Sequence, residues 1–515
     1  MAKNNLLYSL VNVSGMTLIS RILGFLRDVV QTKYFGTSSA TDAWIVAFRL
    51  PNLLRRIFGE GAFSQAFVPM LADYKNKQSL NDTKDFIAHV SGILLIVLLV
   101  LTILGMIFTN LIIVFTAPGF IKDPHKVALT STLLRITFPY IIFISLASLV
   151  GGVLNTWKKF SIPAFTPALL NISFIVFILY FRKFFHPPIL ALAWALIIGG
   201  ISQLAFQLPY LKKIGLPLIP RFYFKDPAVW RLVKLMIPAI FAMSISQISI
   251  VINTIFASFL QNGSITWMFY ADRLMEFPTG VLGVALGTIL LPSLSKFASL
   301  KNHQQFSQTL DWGLRLCLIL ALPSTFGLAL IAKPLTMTLF MHGKFTMFDT
   351  IMTAKALIAY AVGLLGLILV KVFGPGFYAN KDIKTPVKIG IFVLICTQVM
   401  NLIFIGPLKH VGLSLSISLA ACINAFCLCY ILLKRKMYTP SPGWGIFLFK
   451  LMIAIFCMSI ITIASLRYLP FDFSGLTSHR IISLCIIILI AIISYFSTLF
   501  VLGFRVKHFA FKDDE

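Results

Sequence analysis

Apolar residues run through this chain in long stretches separated by short polar segments. A helix rises ~1.5 Å per residue, so about twenty apolar residues cross the ~30 Å hydrocarbon core of a bilayer. The pattern predicts helical spans at 7–35, 41–71, 86–115, 129–155, 162–181 and 188–211. A second set follows at 229–260, 264–294, 308–332, 351–378, 385–406, 411–433, 445–467 and 480–504. The expected class is an all-α polytopic membrane protein with about fourteen transmembrane helices.

The polar segments between the spans give an orientation. Lys75, Lys77 and Lys84 follow the second span, and Lys158 and Lys159 the fourth. Lys212, Lys213, Arg221, Lys225, Arg231 and Lys234 follow the sixth; Lys434, Arg435 and Lys436 follow the twelfth. Gly36–Thr41 and Gln261–Ser264 carry no Lys or Arg, while the loop with Arg182 and Lys183 opposes the trend. Cytoplasmic loops are the basic ones, so both termini are expected on the cytoplasmic side. The N-terminus lacks the small-residue cleavage pattern of a secretory signal, and the first helix is expected to be retained.

The chain also repeats itself. Trp44 and Trp267 are 223 residues apart (267 − 44), as are Pro69 and Pro292, Pro163 and Pro386, Leu71 and Leu294, and Lys158 and Lys381. Six spans separate equivalent points, an even number, so the halves share one orientation. Such parallel repeats build two lobes around a central site. The expected organisation is a six-helix lobe at 1–211, a basic cytoplasmic linker at 212–228 with Pro217, Pro220 and Pro227, a second six-helix lobe at 229–436, and two extra helices with a tail at 437–515.

Composition sharpens the exclusions. The 515 residues are 58% hydrophobic and 12% charged, with a mean hydropathy of +0.91; soluble chains carry about a quarter charged residues. The formal charge of +27 sits in short loops without aromatic–basic interleaving, which argues against a nucleic-acid partner. Cys317, Cys396, Cys422, Cys427, Cys429, Cys457 and Cys485 lie in apolar stretches without His at ligand spacing, and read as small buried hydrophobes. No metal or cofactor site is expected. Neighbouring acids occur only at Asp513, Asp514 and Glu515, and no His–Glu metal motif or nucleophile elbow is present, so enzyme chemistry is not expected.

Charges within spans are costly, about 2.5–3.5 kcal/mol each at mid-membrane, and here they cluster. The first span holds Arg21, Arg27 and Asp28; the second holds Asp42, Arg49, Arg55, Arg56 and Glu60; the eighth holds Asp272, Arg273 and Glu276. So many charges require a protein interior or a wet cavity. Arg21 and Asp28, seven apart, share a helix face, as do Asp42, Arg49 and Arg56, with Glu60 one turn beyond. Arg49 and Asp272 are equally compatible with structural ion pairs. Arginine's planar fork suits bidentate contact with phosphate, so the pattern points to a phosphate-bearing anion. The scattered Arg135, Arg315, Lys355 and Lys371 read as structural.

The blocks ISRILGFLRD (19–28), ATDAWIVAFRLPNLLRRIFGEGAFSQAFVP (40–69), LNTWKKFSIPAFTPALLN (154–171), YADRLMEFPTGVLGVALGTILLPSLSK (270–296) and DIKTPVKI (382–389) resemble the lipid II flippase family, MurJ or MviN. The resemblance runs from about residue 6 to the end and is weakest in the last two spans. It implies the fold of the multidrug/oligosaccharidyl-lipid/polysaccharide exporter superfamily: two six-helix lobes forming a V around a central cavity, with two extra helices bordering a groove for a polyprenyl tail. It implies an inner-membrane flippase, not an enzyme, that moves lipid II from the cytoplasmic to the periplasmic leaflet by alternating access. The implied partners are lipid II, membrane lipids and the peptidoglycan synthesis machinery.

By motif, the family's cavity arginines fall on Arg21 and Arg27 in SRILGFLRD, Arg55 in NLLRR and Arg273 in ADRLMEFP. Asp42 in ATDA matches the acid after the first loop, and Asp28, Glu60 and Glu276 are further cavity or gating acids. Arg56, Asp272 and Arg49 are secondary candidates. Helical phase favours Arg56 over Arg55, but Pro51 interrupts that phase, so the motif is followed. Some relatives hold sodium with carboxylates among helices seven, eleven and twelve. Here 229–260 and 385–433 contain no Asp or Glu, which counts against sodium coupling and leaves the membrane potential as an alternative drive. The alternatives are an O-antigen-type lipid-linked oligosaccharide flippase or a drug/cation antiporter; a net basic site disfavours cationic drugs.

Overall fold

The computed structural model describes residues 2–55, 62–471, 473 and 475–505. They form helices joined by short turns, with no strand among the described residues. Nine of the described elements are long and apolar enough to cross a membrane. The chain is a multi-pass helical membrane protein and packs as two compact units, Met1–Gly263 and Ser264–Glu515. This packing boundary lies beyond the 212–228 linker, because the helix that follows the linker packs with the first unit.

The first unit contains α1 (Ala2–Phe35), α2 (Ser39–Leu54), α3 (Ala62–Lys77), α4 (Leu80–Ile107), α5 (Thr109–Thr116), α6 (Pro124–Thr137), α7 (Tyr140–Thr156), α8 (Ser161–Val176), α9 (Leu190–Lys213) and α10 (Pro227–Ser258). Helix α1 packs along α8, α7 and α8 pack on α9, α2 on α6, and α10 on α3. Helix starts follow local chemistry. Ser79 and Asp82 form a reciprocal capping box at α4, while Asp123 and Asp226 cap α6 and α10, each followed by a proline at the first helical position. These side chains satisfy N–H groups that have no intrahelical partner. The linker is not loose: Arg221 N–H bonds to the Ala88 carbonyl, its guanidinium to Asp85, and His89 to Asp226. A Cβ on Gly92 would lie 2.1 Å from the Arg221 carbonyl oxygen, so α4 admits the linker only because that residue is glycine.

The second unit contains α11 (Ser264–Ser299), α12 (His303–Leu330), α13 (Ala332–Phe340), α14 (Met347–Ala379), α15 (Lys384–Lys434), α16 (Trp444–Tyr468) and α17 (Thr477–Val501). Helix α14 lies at its centre, against α11, α12 and α15. At 51 residues α15 would be ~77 Å long if straight, far beyond one crossing. It is two helices meeting at Lys409, whose backbone leaves the helical region (φ 51°, ψ −129°). The chain doubles back there: a Cβ on Gly412 would lie 2.4 Å from the Phe404 carbonyl oxygen. The spans expected at 385–406 and 411–433 flank this break.

The 223-residue repeat reappears in the backbone. Lys158 and Lys381 both have φ 59°. Each donates its N–H three residues back, to Asn155 and Tyr378, and the next residue donates five back, to Leu154 and Phe377. This left-handed helix ending usually takes glycine; both halves place lysine in it.

Helices α16 and α17 pack through Phe447, Leu451, Ala454, Ile455, Met458, Tyr495 and Leu499, with Ile319 of α12 completing the cluster. Tyr495 Oη donates to the Ile319 carbonyl at 2.7 Å. Asp311 pins the start of α16: Oδ1 accepts from Tyr438 Oη at 2.6 Å, Trp444 Nε1 at 2.7 Å and Ser441 N–H at 3.2 Å. Its Oδ2 lies 2.9 Å from Arg315 Nε. Burial and then the Asp311 acceptor push the Tyr438 hydroxyl above its ordinary pKa. Outward-facing Ile446, Phe449, Phe456, Ile493 and Phe500 are exposed, a surface suited to hydrocarbon. The cysteines correct one expectation. Only Cys317 is buried in protein; Cys485 is exposed and the other five are partly so. In a membrane the apolar side of a helix need not face protein, so an apolar stretch does not imply a buried thiol.

Candidate functional site

In α1 the Arg27 guanidinium grips its neighbour Asp28, with Nη2 at 2.6 Å and Nε at 3.0 Å from Oδ1. The Arg27 side chain is 10% exposed and that of Asp28 1%. Arg27 also lies over the Phe174 ring of α8, 5.4 Å from its centroid, within an aromatic group with Trp44 and Phe48. Two of the five N–H donors of an arginine are thus used on a carboxylate that fixes its plane. Arg21 lies nearer the start of the helix and is exposed; Asn171 of α8 holds the preceding residue through the Ser20 carbonyl at 3.1 Å. Helix spacing put Arg21 and Asp28 on one face; the sequence neighbour Arg27 is a close partner of Asp28.

Helix α2 carries Asp42 and Arg49, and Arg55 caps its C-terminal end. Arg49 Nη1 donates to Thr254 Oγ1 of α10 at 2.5 Å. Arg55 Nε donates to Asn52 Oδ1 at 2.9 Å. The Arg55 N–H, four residues after Pro51, bonds to the Asn52 and Pro51 carbonyls. Arg56 and Glu60 lie outside the described residues.

Asp42 occupies the first turn of α2 and is 1% exposed. Its Oδ2 accepts the Gly263 N–H at 2.7 Å and lies 3.5 Å from Lys126 Nζ. Lys126, in the first turn of α6, also donates to Asn262 Oδ1 at 2.8 Å. Neither Lys126 nor Asn262 stood out in the sequence, because a lysine near a loop reads as a solvated charge; here it is 6% exposed.

In the second unit, Arg273 Nη1 lies 3.0 Å from Glu276 Oε2, one turn along α11, with side chains 38% and 44% exposed. Asp272 is partly buried beside them. Arg273 and Glu276 form a wet, exchangeable pair, unlike the dry pair in α1. Lys371 of α14 lies against this helix, with Nζ 3.5 Å from the Thr279 carbonyl and its stem over Gly283. Among the described residues no three His, Cys, Asp or Glu side chains are grouped to hold a metal ion.

The arrangement is thus one of arginines on apolar helices, of which Arg27, Arg49, Arg55 and Arg273 are each held by a nearby polar side chain. Such groups bind anions and offer no nucleophile or base for bond cleavage. Comparison with known proteins gives the arrangement a context. A family model described as lipid II flippase MurJ matches residues 31–500. The chain belongs to this family.

A lipid II flippase MurJ from Burkholderia cenocepacia is 46% identical, covering 98% of this chain and 99% of the relative. A probable lipid II flippase MurJ from Buchnera aphidicola is 44% identical, covering 99% and 100%. Among solved structures, a lipid II flippase MurJ in an inward closed conformation superposes with a TM-score of 0.79 at 30% identity, covering 95% of this chain and 98% of the other. An inward-facing MATE-family transporter of the MOP superfamily gives 0.66 at 13% identity over 83% of this chain and 98% of the other, a likeness of fold alone. Family membership explains why the motif blocks coincide with the charged helices α1, α2 and α11.

Proposed function

We propose that this chain is a lipid II flippase of the inner membrane: it moves the undecaprenyl-pyrophosphate-linked peptidoglycan precursor from the cytoplasmic to the periplasmic leaflet. It acts as a transporter, not an enzyme, and its immediate partners are lipid II and the surrounding lipids. The family match over residues 31–500 carries this reading. The basic pairs held on apolar helices supply the matching chemistry.

In this proposal Arg21, Arg27, Arg55 and Arg273 receive the pyrophosphate, and Asp28, Asp42, Glu60 and Glu276 seat those arginines or close the path behind the passenger. Arg49, Arg56 and Asp272 play secondary parts. The spans number fourteen, as two six-helix lobes (1–211 and 229–436) and an added pair after 437 that borders the lipid tail. Both termini and the basic loops face the cytoplasm, which puts Asp42 and Gln261–Gly263 at the periplasmic end. Movement of each negative charge outward gains about 2.3 kcal/mol per 100 mV of inside-negative potential, so the potential favours the outward movement of a pyrophosphate passenger. Net basic charge on the binding helices favours an anion over the cations of a drug antiporter.

The test is complementation. Cells depleted of their own lipid II flippase should regain growth and externally accessible lipid II when this chain is expressed. Failure to do so despite normal membrane insertion would refute the assignment.

A further inference from the structure

We propose that Lys126 is the bolt of the outer gate, a residue that holds the periplasmic end of the first unit shut until the passenger leaves. This rests on the flippase reading and adds to it a residue on which the family motifs are silent.

Three elements converge at Lys126. Its Nζ lies 3.5 Å from Asp42 Oδ2 on α2 and donates to Asn262 Oδ1, just beyond α10, at 2.8 Å. It also sits 3.9 Å above the Phe120 ring centroid. Gly263 closes the ring by donating its N–H to the same Asp42 oxygen. A second clasp lies alongside: Gly119 N–H donates to Ser258 Oγ at 2.9 Å. A Cβ on Gly119 would fall 2.2 Å from the Ser258 carbonyl oxygen. The segment from Gly119 to Lys126 therefore grips the end of α10 while its lysine reaches the start of α2.

The repeat shows that this lysine is not there to build its helix. Asp123 and Thr346 cap α6 and α14 and stand 223 residues apart, as do Lys126 and Asp349. In α14 the residue does ordinary capping work: Asp349 accepts from the Thr346 N–H and hydroxyl and from Trp267 Nε1. In α6 the same position holds the opposite charge. A cation in the first turn opposes the helix dipole, and its side chain leaves its own helix to neutralise Asp42. The buried carboxylate and its lysine form a seal that is stable when dry and separable once water enters, since both ions regain hydration. An apolar seam in this place would have no such second state.

The test places a reporter cysteine at Ala257, which is buried in the last turn of α10, and measures its labelling by a membrane-impermeant maleimide added from outside. The chain with its native cysteines alone provides the background. In otherwise native protein the reporter should label slowly. Lys126→Gln should label several-fold faster, and Lys126→Arg, which keeps the charge, should stay slow. Asn262→Ala should speed labelling and Asn262→Asp, which adds an anion for the lysine, should slow it; this pair decides the matter if Lys126→Gln fails to fold. Labelling that is unchanged in both Lys126→Gln and Asn262→Ala overturns the proposal. Labelling is read without substrate, so a gate that responds as described in a protein that moves no lipid II would sink the flippase reading and leave the gate standing.

Discussion

Arg27 and Asp28 allow a structural ion pair to be separated from a binding site. Replacing Arg27 by alanine removes the cation 2.6 Å from a carboxylate that is 1% exposed. Breaking a buried pair from one side costs about 3–5 kcal/mol, most of it the burial of the remaining charge. Arg27→Ala alone should therefore lose both stability and transport, which proves little. Adding Asp28→Asn removes the buried charge, and the double variant should recover most of the lost stability, leaving a deficit of about 1 kcal/mol from the missing hydrogen bonds. Its transport should not recover, because the donors that face the passenger are still missing. The assays are reversible unfolding in mixed detergent micelles and lipid II exposure in flippase-depleted cells. If the double variant regains both, Arg27 serves only to neutralise Asp28, and the assignment of Arg27 to the passenger is wrong.

Other consequences follow from the second unit. Tyr438→Phe removes one of three hydrogen-bond donors to Asp311 and should cost about 1 kcal/mol; Asp311→Ala orphans all three and takes the carboxylate from Arg315, and should cost about 3 kcal/mol, so the double variant should be no worse than Asp311→Ala in the same unfolding assay. A Cβ on Gly363 would lie 2.4 Å from Ser418 Cα, and one on Gly366 2.6 Å from Cys422 N. Either alanine should cost about 1–3 kcal/mol by forcing α14 off α15, whereas Gly390→Ala, with open space around it, should be neutral or stabilising. The Asp382 carboxylate is held below its ordinary 3.8, first by the Thr385 hydroxyl, against the opposing effect of burial, then by the Thr385 N–H and by Arg435. A lowered folded-state pKa gives stability that is present above 3.8 and lost as pH falls through the folded value. Asp382→Asn should thus lower the melting temperature at neutral pH, and the gap should close in acid; a gap independent of pH would contradict this.

The membrane class and most helices were legible because crossing hydrocarbon demands about twenty apolar residues with every backbone group bonded internally. The reversal at Lys409 was anticipated by the gap between apolar runs, and the 223-residue repeat by scarce Trp, Pro and Lys, with matched helix endings at Lys158 and Lys381. The pairing of charges was less legible. Seven-residue spacing suggests a shared face but says nothing of the adjacent contact that joins Arg27 to Asp28. Lys126 was hidden because its contacts come from α2 and from the residues after α10, far away in sequence. The repeat held a signal for it, since its counterpart is the capping acid Asp349, but only when charged positions are compared across the halves.

The central claim is that arginine forks on apolar helices receive the pyrophosphate of lipid II. Its most direct test is translocation of labelled lipid II in proteoliposomes under an inside-negative potential, comparing native protein with a folded variant in which Arg21, Arg27, Arg55 and Arg273 are all glutamine, with Asp28→Asn included so that no buried carboxylate is left behind by the loss of Arg27. The account predicts that the variant moves no lipid II above protein-free vesicles. Translocation at the native rate would contradict it.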